Sequence, residues 1–255
     1  MASALITGGT SGIGAAFARV LAARGDDLIL VARDADRLAT MATELKDRYG
    51  VAVETMTADL ANRDEVQRVA DRLITKQQPV DTLVNNAGFG IRGSLLDPDL
   101  TLHEQGLEVM ARAVMVLSAT AGRMMRDRGA GTIINVSSTA GFVTIGHYSA
   151  IKAYVTTLTE ALHSDLAGSG VAATALCPGW VRTEFHERAS IRTGSIPEWM
   201  WLDAEELVVE CLQDVAAGKV VSIPSFRYKV MISGARHAPR NAVRALSRRL
   251  ASRRH

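Results

Sequence analysis

Two hydrophobic periods alternate along most of this 255-residue chain. Short apolar runs have the length of buried strands, and each is followed by a stretch with apolar residues at helical spacing. The seven strand-like runs are residues 4–7, 28–32, 51–57, 82–85, 132–137, 171–177 and 220–223. The longest helical pattern, residues 102–128, predicts one continuous helix. This alternation predicts a parallel sheet that is covered by helices on both faces.

The order of these elements predicts an α/β fold with a doubly wound parallel sheet of about seven strands. Parallel strands joined by right-handed crossovers favour the Rossmann arrangement. No repeat or linker interrupts residues 1–225, so we expect one domain there, including an irregular stretch at residues 178–202. Residues 226–255 are interpreted as a separate basic, partly amphipathic tail.

Cysteine usage and the chain's beginning indicate a cytoplasmic location. Cys177 and Cys211 show neither metal-ligand spacing nor a disulfide framework, so we expect free buried thiols in a reducing compartment. The first residues lack a basic, apolar leader, and no window reaches the roughly 18 apolar residues of a spanning helix. A soluble cytoplasmic protein is therefore expected.

A glycine-rich turn, residues 7–14, joins the first predicted strand to the first predicted helix. Backbone amides and the positive end of a helix dipole meet at such a turn, where a pyrophosphate can bind. Gly8 would allow the sharp turn, Gly12 the close approach of phosphate and Gly14 the packing of helix on strand. Thr10, Ser11 and Ile13 complete the predicted cofactor-binding turn.

The end of the second strand indicates which dinucleotide binds. NAD sites place a carboxylate there for the ribose 2′-hydroxyl, whereas this chain has Ala32 followed by Arg33. A guanidinium suits a 2′-phosphate, so NADP (NADPH) is favoured over NAD. The alternative is a solvated surface arginine, and the neighbouring Asp34 counts somewhat against the phosphate interpretation.

Tyr148 and Lys152 are four residues apart in a predicted helix. Side chains at this spacing lie on one helix face, so a phenol and an ammonium would project to the same place. A nearby positive charge favours the phenolate and lowers a tyrosine pKa from its ordinary value near 10. The pair is therefore a candidate acid–base centre.

Six spaced motifs follow the predicted strands in order. They are Thr7-Gly8-x-x-x-Gly12-x-Gly14, Asp59-Leu60, Asn85-Asn86-Ala87-Gly88, Ser138, Tyr148-x-x-x-Lys152 and Pro178-Gly179-x-x-x-Thr183. On these residues the chain resembles a classical short-chain dehydrogenase/reductase over residues 1–225. The resemblance implies hydride transfer between a nicotinamide and a carbonyl or alcohol carbon.

The resemblance also implies roles for individual residues. Tyr148 would exchange a proton with the substrate oxygen, Ser138 would hydrogen-bond that oxygen, and Lys152 would lower the tyrosine pKa and hold the nicotinamide ribose. Ser137 is the competing serine, and the family pattern favours Ser138. Further implied cofactor contacts are Asp59, Leu60, Asn86, Ala87, Gly88, Pro178, Gly179, Val181 and Thr183, with Tyr148 and Lys152 themselves.

One position departs from the family pattern. An asparagine that holds a water behind the lysine is usual where this chain has Met110, and a thioether cannot hold that water as an amide does. Three outcomes stay open. A backbone carbonyl and another side chain complete the proton relay, turnover is slow, or the protein binds NADP with little catalysis, as a scaffold or sensor.

The irregular stretch at residues 178–202 contains all three tryptophans, and the family uses this stretch as a lid over substrate. Its aromatic and aliphatic content indicates a hydrophobic substrate, such as a fatty-acyl, steroid-like or other apolar ketone. The alternative is that these side chains seal the core or a subunit contact. The apolar residues are Trp180, Val181, Phe185, Ile191, Ile196, Trp199, Met200 and Trp201. His147 and His186 lack partners at metal-ligand spacing, so no metal is expected.

Charge is divided unevenly between body and tail. After Asp214 there are ten Lys or Arg and no acidic residue, which leaves nineteen basic against twenty-seven acidic side chains before it. The tail could pack on the acidic body or a sister subunit, lie on an anionic membrane, or touch nucleic acid, in that order of preference. Pro239 counts against a membrane helix, and no nucleic-acid partner is expected. The resemblance implies a homodimer or homotetramer.

Overall fold

The computed structural model describes residues 2–185, 196–237 and 241. Its main sheet has seven parallel strands in the order β3-β2-β1-β4-β5-β6-β9, which confirms the predicted doubly wound sheet. These strands are β1 (Ser3–Thr7), β2 (Asp27–Ala32), β3 (Val53–Thr57), β4 (Thr82–Asn85), β5 (Gly131–Val136), β6 (Val171–Leu176) and β9 (Val221–Ser222). Two further short strands, β7 (Trp180–Val181) and β8 (Trp201–Leu202), pair separately and also run parallel.

Eight α-helices connect or follow the strands within the described residues. They are α1 (Gly12–Ala23), α2 (Ala35–Tyr49), α3 (Arg63–Leu73), α4 (Thr101–Leu107), α5 (Ala113–Arg128), α6 (Gly146–Asp165), α7 (Ala204–Ala216) and α8 (Phe226–His237). Local sequence explains several helix ends. Asp34 caps α2 by accepting a bond from the Arg37 amide, and Gly50 ends that helix in the left-handed conformation. Asn62 caps α3 in the same way as Asp34 caps α2.

The predicted continuous helix over residues 102–128 is confirmed as one helical run, residues 101–128, but it contains a π-helical turn that the sequence analysis did not predict. Helix α4 ends at Leu107, a π-helical turn occupies Glu108–Arg112, and α5 begins at Ala113. In this turn the Ala113 amide bonds to the Glu108 carbonyl, five residues back. A π turn adds one residue to a helical turn, and three consecutive buried residues, Val109, Met110 and Ala111, lie in this one. One added residue within so long an apolar pattern is not evident from the sequence alone.

Two hydrophobic clusters lie on opposite faces of the sheet. One is centred on α1, where Phe17 is fully buried, together with α2, α7 and α8. The other lies under α3, α5 and α6 and includes Leu83, Met110 and Leu117. Burying one large apolar side chain contributes about 2 kcal/mol, so both faces of the sheet are strongly held.

Helix α8 packs on the same body as the rest of the sheet. Its Tyr228 and Ile232 are buried, whereas Phe226 and Val230 on the opposite side are exposed. The predicted tail therefore begins with a helix that packs on the core through Tyr228 and Ile232. Cys177 and Cys211 are buried and free, as expected. No helix in the described part of the chain is long and apolar enough to cross a membrane.

Candidate active site

The predicted motifs meet at one edge of the sheet. In a parallel sheet all strands end on the same side, and ligands bind in the crevice outside those ends. The turns after β1, β4, β5 and β6 carry the glycine-rich, Asn-Ala-Gly, Ser138 and Pro178 segments respectively. Direct contacts between these segments join them into one cleft.

The glycine-rich turn has a backbone that side chains would disrupt. Gly8 and Gly12 have φ angles of 67° and 53°, a region that L-residues rarely adopt. A Cβ atom on Gly14 would lie 2.1 Å from the Gly8 carbonyl oxygen, so only glycine allows this close packing. The predicted reasons for Gly8 and Gly14 thus match the geometry of the turn.

The first turn of α1 is suited to a phosphate. Ser11 precedes the helix but makes no side-chain capping bond, and no acidic residue lies in the first turn. Uncapped amides at a helix N-terminus form an anion-binding site. A cleft of about 550 Å³ opens here, lined by residues that include Thr10, Ser11, Gly12, Arg37 and Thr183. These features fit a dinucleotide pyrophosphate.

Asn86 ties the turn after β4 to the glycine-rich turn. Its Nδ2 donates to the carbonyls of Thr7 and Gly8 at 3.0 and 3.2 Å. In return, the Thr7 hydroxyl accepts bonds from the amides of Asn86 and Ala87. Asn86 and Ala87 therefore form part of the wall of the cleft.

The two adjacent serines have different surroundings. Ser137 is buried, donates to the Lys152 carbonyl at 2.6 Å and bonds to Thr156, so it is bound to helix α6. Ser138 precedes a short 3₁₀ turn, Thr139–Phe142, and its hydroxyl accepts a bond from the Ala140 amide. The Ser138 hydroxyl also hydrogen-bonds to the Tyr148 phenol. Ser138 is thus the serine that faces Tyr148.

Tyr148 and Lys152 lie on one face of α6, as the spacing predicts. The Lys152 Nζ is 5.6 Å from the centre of the Tyr148 ring and donates to the Val136 carbonyl at 2.9 Å. Burial lowers the pKa of Lys152 to about 8. Burial raises the pKa of Tyr148 well above its ordinary value, and the bond from Ser138 only partly offsets this.

The expected direction of the Tyr148 pKa is therefore corrected. From the sequence, the charge of Lys152 was expected to have the largest effect on the Tyr148 pKa. In the folded chain, desolvation of the phenolate has the largest effect. A phenol with a raised pKa stays protonated at neutral pH. Tyr148 is consequently protonated in the folded chain, although burial also makes the phenol a weaker acid.

Met110 lies at the centre of the π turn and is 1% exposed. Its thioether packs against the turn after β4. The packing is so close that a Cβ atom on Gly88 would lie 3.1 Å from the Met110 sulfur. Nearby, Asn85 donates to Asn135 and Ser118 in a buried network. The Asn85 Oδ1 has no hydrogen-bond partner among the described residues.

The segment after β6 approaches both the Ser138 turn and the glycine-rich turn. The Pro178 carbonyl accepts two bonds from Thr139, through its amide at 2.9 Å and its hydroxyl at 3.1 Å. A Cβ atom on Gly12 would lie 3.2 Å from the Thr183 side chain. Val181 is buried beneath this segment. The two ends of the segment thus contact the Ser138 turn and the glycine-rich turn, and Thr183 lines the cleft at the start of α1.

Arginines at the start of α2 occupy different positions. Arg33 is exposed directly after β2. Arg37 donates to the Thr10 carbonyl at 3.2 Å and forms a two-bond ion pair with Glu184. After β3, Asp59 accepts a bond from the Ala61 amide, whereas Leu60 is buried in the core.

Aromatic and histidine side chains surround Tyr148. The Phe185 ring lies 6.2 Å from the Tyr148 ring, centre to centre. The Nδ1 atoms of His147 and the buried His103 are 3.1 Å apart, so the two rings are hydrogen-bonded. Burial and the nearby His103 lower the pKa of His147. His186 and Ile191 lie outside the described residues.

Three contacts at the site escaped sequence reasoning. They involve Arg37, Tyr228 and the Val136 carbonyl. The position of a backbone carbonyl cannot be read from a sequence motif. Arg37 and Tyr228 form hydrogen bonds with residues that are distant in the chain, so no local pattern identifies them. A larger cleft of about 650 Å³ borders α7, and none of the predicted catalytic residues lines it.

Comparison with known proteins points to one family. The model of the short chain dehydrogenase family matches residues 2–193. A short-chain dehydrogenase from Sphingobium yanoikuyae in complex with NADPH is 34% identical, with a TM-score of 0.84 over 92% of this chain and 93% of that one.

Two other relatives have descriptions that mention a substrate. A bulky-bulky ketone specific alcohol dehydrogenase from Comamonas testosteroni is 29% identical, with a TM-score of 0.80 over 92% of both chains. A putative ketoacyl reductase of the granaticin polyketide synthase from Streptomyces violaceoruber is 37% identical over 195 residues, or 72% of this chain and 70% of that protein.

Proposed function

Because this chain belongs to the short-chain dehydrogenase family, we propose that it is an NADPH-dependent reductase of bulky apolar ketones. Membership of the family makes it an oxidoreductase that acts on CH–OH or C=O groups. The proposal adds the cofactor preference, the direction of reaction, the substrate class and the roles of individual residues.

The observation that carries the proposal is the arrangement of Ser138, Tyr148 and Lys152. The phenol is protonated and hydrogen-bonded to the Ser138 hydroxyl, and a buried ammonium lies beside the ring. In this proposal Tyr148 donates its proton to the carbonyl oxygen of the substrate, while Ser138 orients that oxygen. Bound NADPH would supply the hydride to the carbonyl carbon. Lys152, whose pKa of about 8 suits proton transfer near neutrality, returns a proton to Tyr148.

The cofactor would be held along the edge of the sheet. The α1 N-terminus would bind the pyrophosphate, Arg33 the 2′-phosphate and Asp59 the adenine. Leu60 and the turn of Asn86, Ala87 and Gly88 would border the cleft. The segment with Pro178, Gly179, Val181 and Thr183 would contact the nicotinamide end. Support comes from the uncapped helix terminus and from the NADPH complex of the Sphingobium relative.

An apolar substrate is supported by side chains near the phenol and by the relatives. Phe185 lies beside Tyr148, and the lid segment contributes the exposed Trp199. The Comamonas enzyme is described as specific for bulky-bulky ketones and the Streptomyces protein as a putative ketoacyl reductase. Both descriptions concern ketone substrates, and the Comamonas description specifies bulky ones.

We further propose a cytoplasmic homo-oligomer that contacts its partner through α5 and α6. Leu107, Met115 and Tyr154 are large apolar residues that stay exposed along α4, α5 and α6. Exposed apolar side chains on adjacent helices are typical of a subunit contact. Light scattering would measure the state of the native chain, and a Met115→Glu variant should shift it toward the monomer. A monomeric wild-type chain at micromolar concentration would overturn this part.

Turnover tests the central proposal. Purified protein would be mixed with NADPH or NADH and with ketones graded in size, from linear ketoacyl thioesters to cyclic and diaryl ketones. Loss of NADPH absorbance reports reduction. The Tyr148→Phe variant should lose about a hundredfold or more of the rate and still bind NADPH. Tyr154→Phe, which removes the hydroxyl of an exposed tyrosine on the same helix, is the matched control.

Two results would contradict the proposal. If Tyr148→Phe turns over a substrate at the wild-type rate, the proton donor is a different group. If NADPH binds tightly and no ketone is reduced, the non-catalytic scaffold or sensor function gains support. Met110, which replaces the usual asparagine, is the residue that keeps this second function open.

A further inference from the structure

Tyr228 lies on α8, beyond the residues that the family model matches, and it is 3% exposed. Its hydroxyl makes two hydrogen bonds. It accepts one from the Trp180 amide at 3.0 Å and donates one to the Met200 carbonyl at 2.7 Å. One phenol oxygen therefore joins two backbone positions that are twenty residues apart.

Those two positions are the two ends of the lid segment. Trp180 begins β7, and Met200 immediately precedes β8, so residues 182–200 form the connection between the paired strands. The pairing itself is short, with Trp180 opposite Trp201 and Val181 opposite Leu202. A further backbone bond runs from the Arg182 amide to the Leu202 carbonyl at 3.1 Å. A ladder of two residue pairs is weak by itself, so the two hydrogen bonds of the Tyr228 hydroxyl add substantially to its stability.

The Tyr228 ring also defines the position of Gly179. A Cβ atom on Gly179 would lie 2.0–2.4 Å from three atoms of the ring, closer than any real contact. The ring thus lies directly against the backbone of the Pro178–Gly179 segment. Any side chain at position 179 would overlap this ring, so only glycine fits there.

Helix α8 reaches the other side of the site as well. Its Arg236 guanidinium lies over the Phe142 ring at 5.1 Å and pairs with Glu160 of α6 at 3.5 Å. Phe142 ends the 3₁₀ turn that Ser138 begins. One helix therefore contacts the lid base through Tyr228 and the serine turn through Arg236.

We propose that Tyr228 is a positioning residue for the nicotinamide-binding segment and for the two ends of the lid. Its ring supports the Gly179 backbone and its hydroxyl fixes Trp180 relative to Met200. The cofactor part rests on the proposed function, whereas the bridging of the lid ends does not. Burial raises the pKa of Tyr228, so its phenol keeps the proton that it donates to Met200.

The Tyr228→Phe variant tests the hydroxyl alone, because the ring remains under Gly179. Hydrogen exchange of the native protein, measured on peptides that contain Trp180, should be about tenfold faster in the variant than in wild type. The dissociation constant for NADPH, measured by fluorescence without substrate, should rise about threefold to tenfold, the effect of losing hydrogen bonds that hold the segment. Tyr49→Phe, which removes the hydroxyl of a tyrosine at the end of α2, should change neither quantity.

A purely structural tyrosine would give a different pattern. It would lower the melting temperature but leave the NADPH dissociation constant unchanged well below that temperature. This result, or unchanged exchange at Trp180, would overturn the proposal. If wild type does not bind NADPH, the proposed function fails, and the exchange measurement still decides whether Tyr228 holds the lid ends.

Discussion

Arg37 and Glu184 form an ion pair across the cofactor cleft, with Nη1–Oε2 and Nη2–Oε1 distances of 3.2 and 3.0 Å. Arg37 lies in the first turn of α2 and Glu184 follows Thr183, so the pair joins α2 to the start of the segment between β7 and β8. Arg37 also donates to the Thr10 carbonyl of the glycine-rich turn. Its guanidinium is therefore already engaged, whereas Arg33 projects into solvent at the end of β2.

This difference predicts distinct effects on cofactor choice. The Arg33→Ala change should raise the NADPH KM about tenfold and leave the NADH KM within about twofold, because only NADPH carries the 2′-phosphate. The Arg37→Ala change should raise both KM values by similar factors, since it loosens the turn that binds the shared pyrophosphate. Steady-state kinetics with both cofactors measure this. The reverse pattern would make Arg37 the 2′-phosphate residue.

Met110 should be a packing residue and not a missing relay group. Met110→Asn buries an amide against Gly88 in place of a thioether, and we expect a loss of about 1–3 kcal/mol in the free energy of unfolding. The kcat should stay within about threefold, because the Lys152 ammonium bonds to the Val136 carbonyl in this fold. Met231→Asn, at an exposed position of α8, is the control. A large rise in kcat would show that the usual asparagine is needed after all.

The buried Lys152 ammonium should lower the free energy of unfolding at neutral pH. Its pKa falls from 10.5 in the unfolded chain to about 8 in the folded one, so the unfolded state binds more protons between these values and stability rises with pH across that window. Below pH 8 the full cost, about 3 kcal/mol, is present, and above about 10.5 it is absent. Lys152→Met should therefore stabilise the protein at pH 7, by about 1–2 kcal/mol once the lost bond to Val136 is counted.

Denaturant unfolding at pH 7 and pH 10 would measure this, because the gain should shrink as the pH rises. Lys46→Met, an exposed position on α2, should give no such pH-dependent difference. The Lys152→Met variant should also lose turnover. The wild-type lysine would then be a residue that lowers stability but is required for activity. An equal gain at both pH values would refute the electrostatic origin.

Gly179 and Tyr228 should behave as one unit in a double-mutant test. Gly179→Ala alone should weaken NADPH binding about tenfold or more, since its Cβ would overlap the Tyr228 ring. Adding Tyr228→Ala removes the overlap. The double variant should therefore lose less NADPH affinity than the sum of the losses in the two single variants. Thermal unfolding of all variants separates binding loss from unfolding. Strictly additive losses would mean that the two residues do not interact.

The sequence predicted the strands and motif positions well because both depend on local pattern. Each motif follows an apolar strand, and parallel strands bring those ends together without further information. The π turn at Glu108–Arg112 was missed because one extra residue in a long helix has no distinct signal in the apolar pattern. The direction of the Tyr148 pKa was wrong because the lysine is visible in the sequence, whereas burial of the phenol depends on the whole fold.

Long-range contacts explain the remaining gaps. Arg37 meets Glu184 across 147 positions, and Tyr228 meets Trp180 across 48. No local signal distinguishes these residues from others on α2 and α8. The bond that holds the glycine-rich turn and the bridge between the lid ends therefore depend on residues that motif reading alone does not reach.

The parallel direction of β7 and β8 has a consequence for how this protein can diversify. Parallel strands cannot be joined by a tight hairpin, so β7 and β8 require a connection longer than a simple turn. The hydrogen bonds of Tyr228 hold the backbone at Trp180 and Met200, whichever side chains stand between them. If that connection shapes the substrate site as proposed, its exchange for another segment of similar length should change substrate preference, whereas shortening it to a simple turn should break the pairing of β7 with β8.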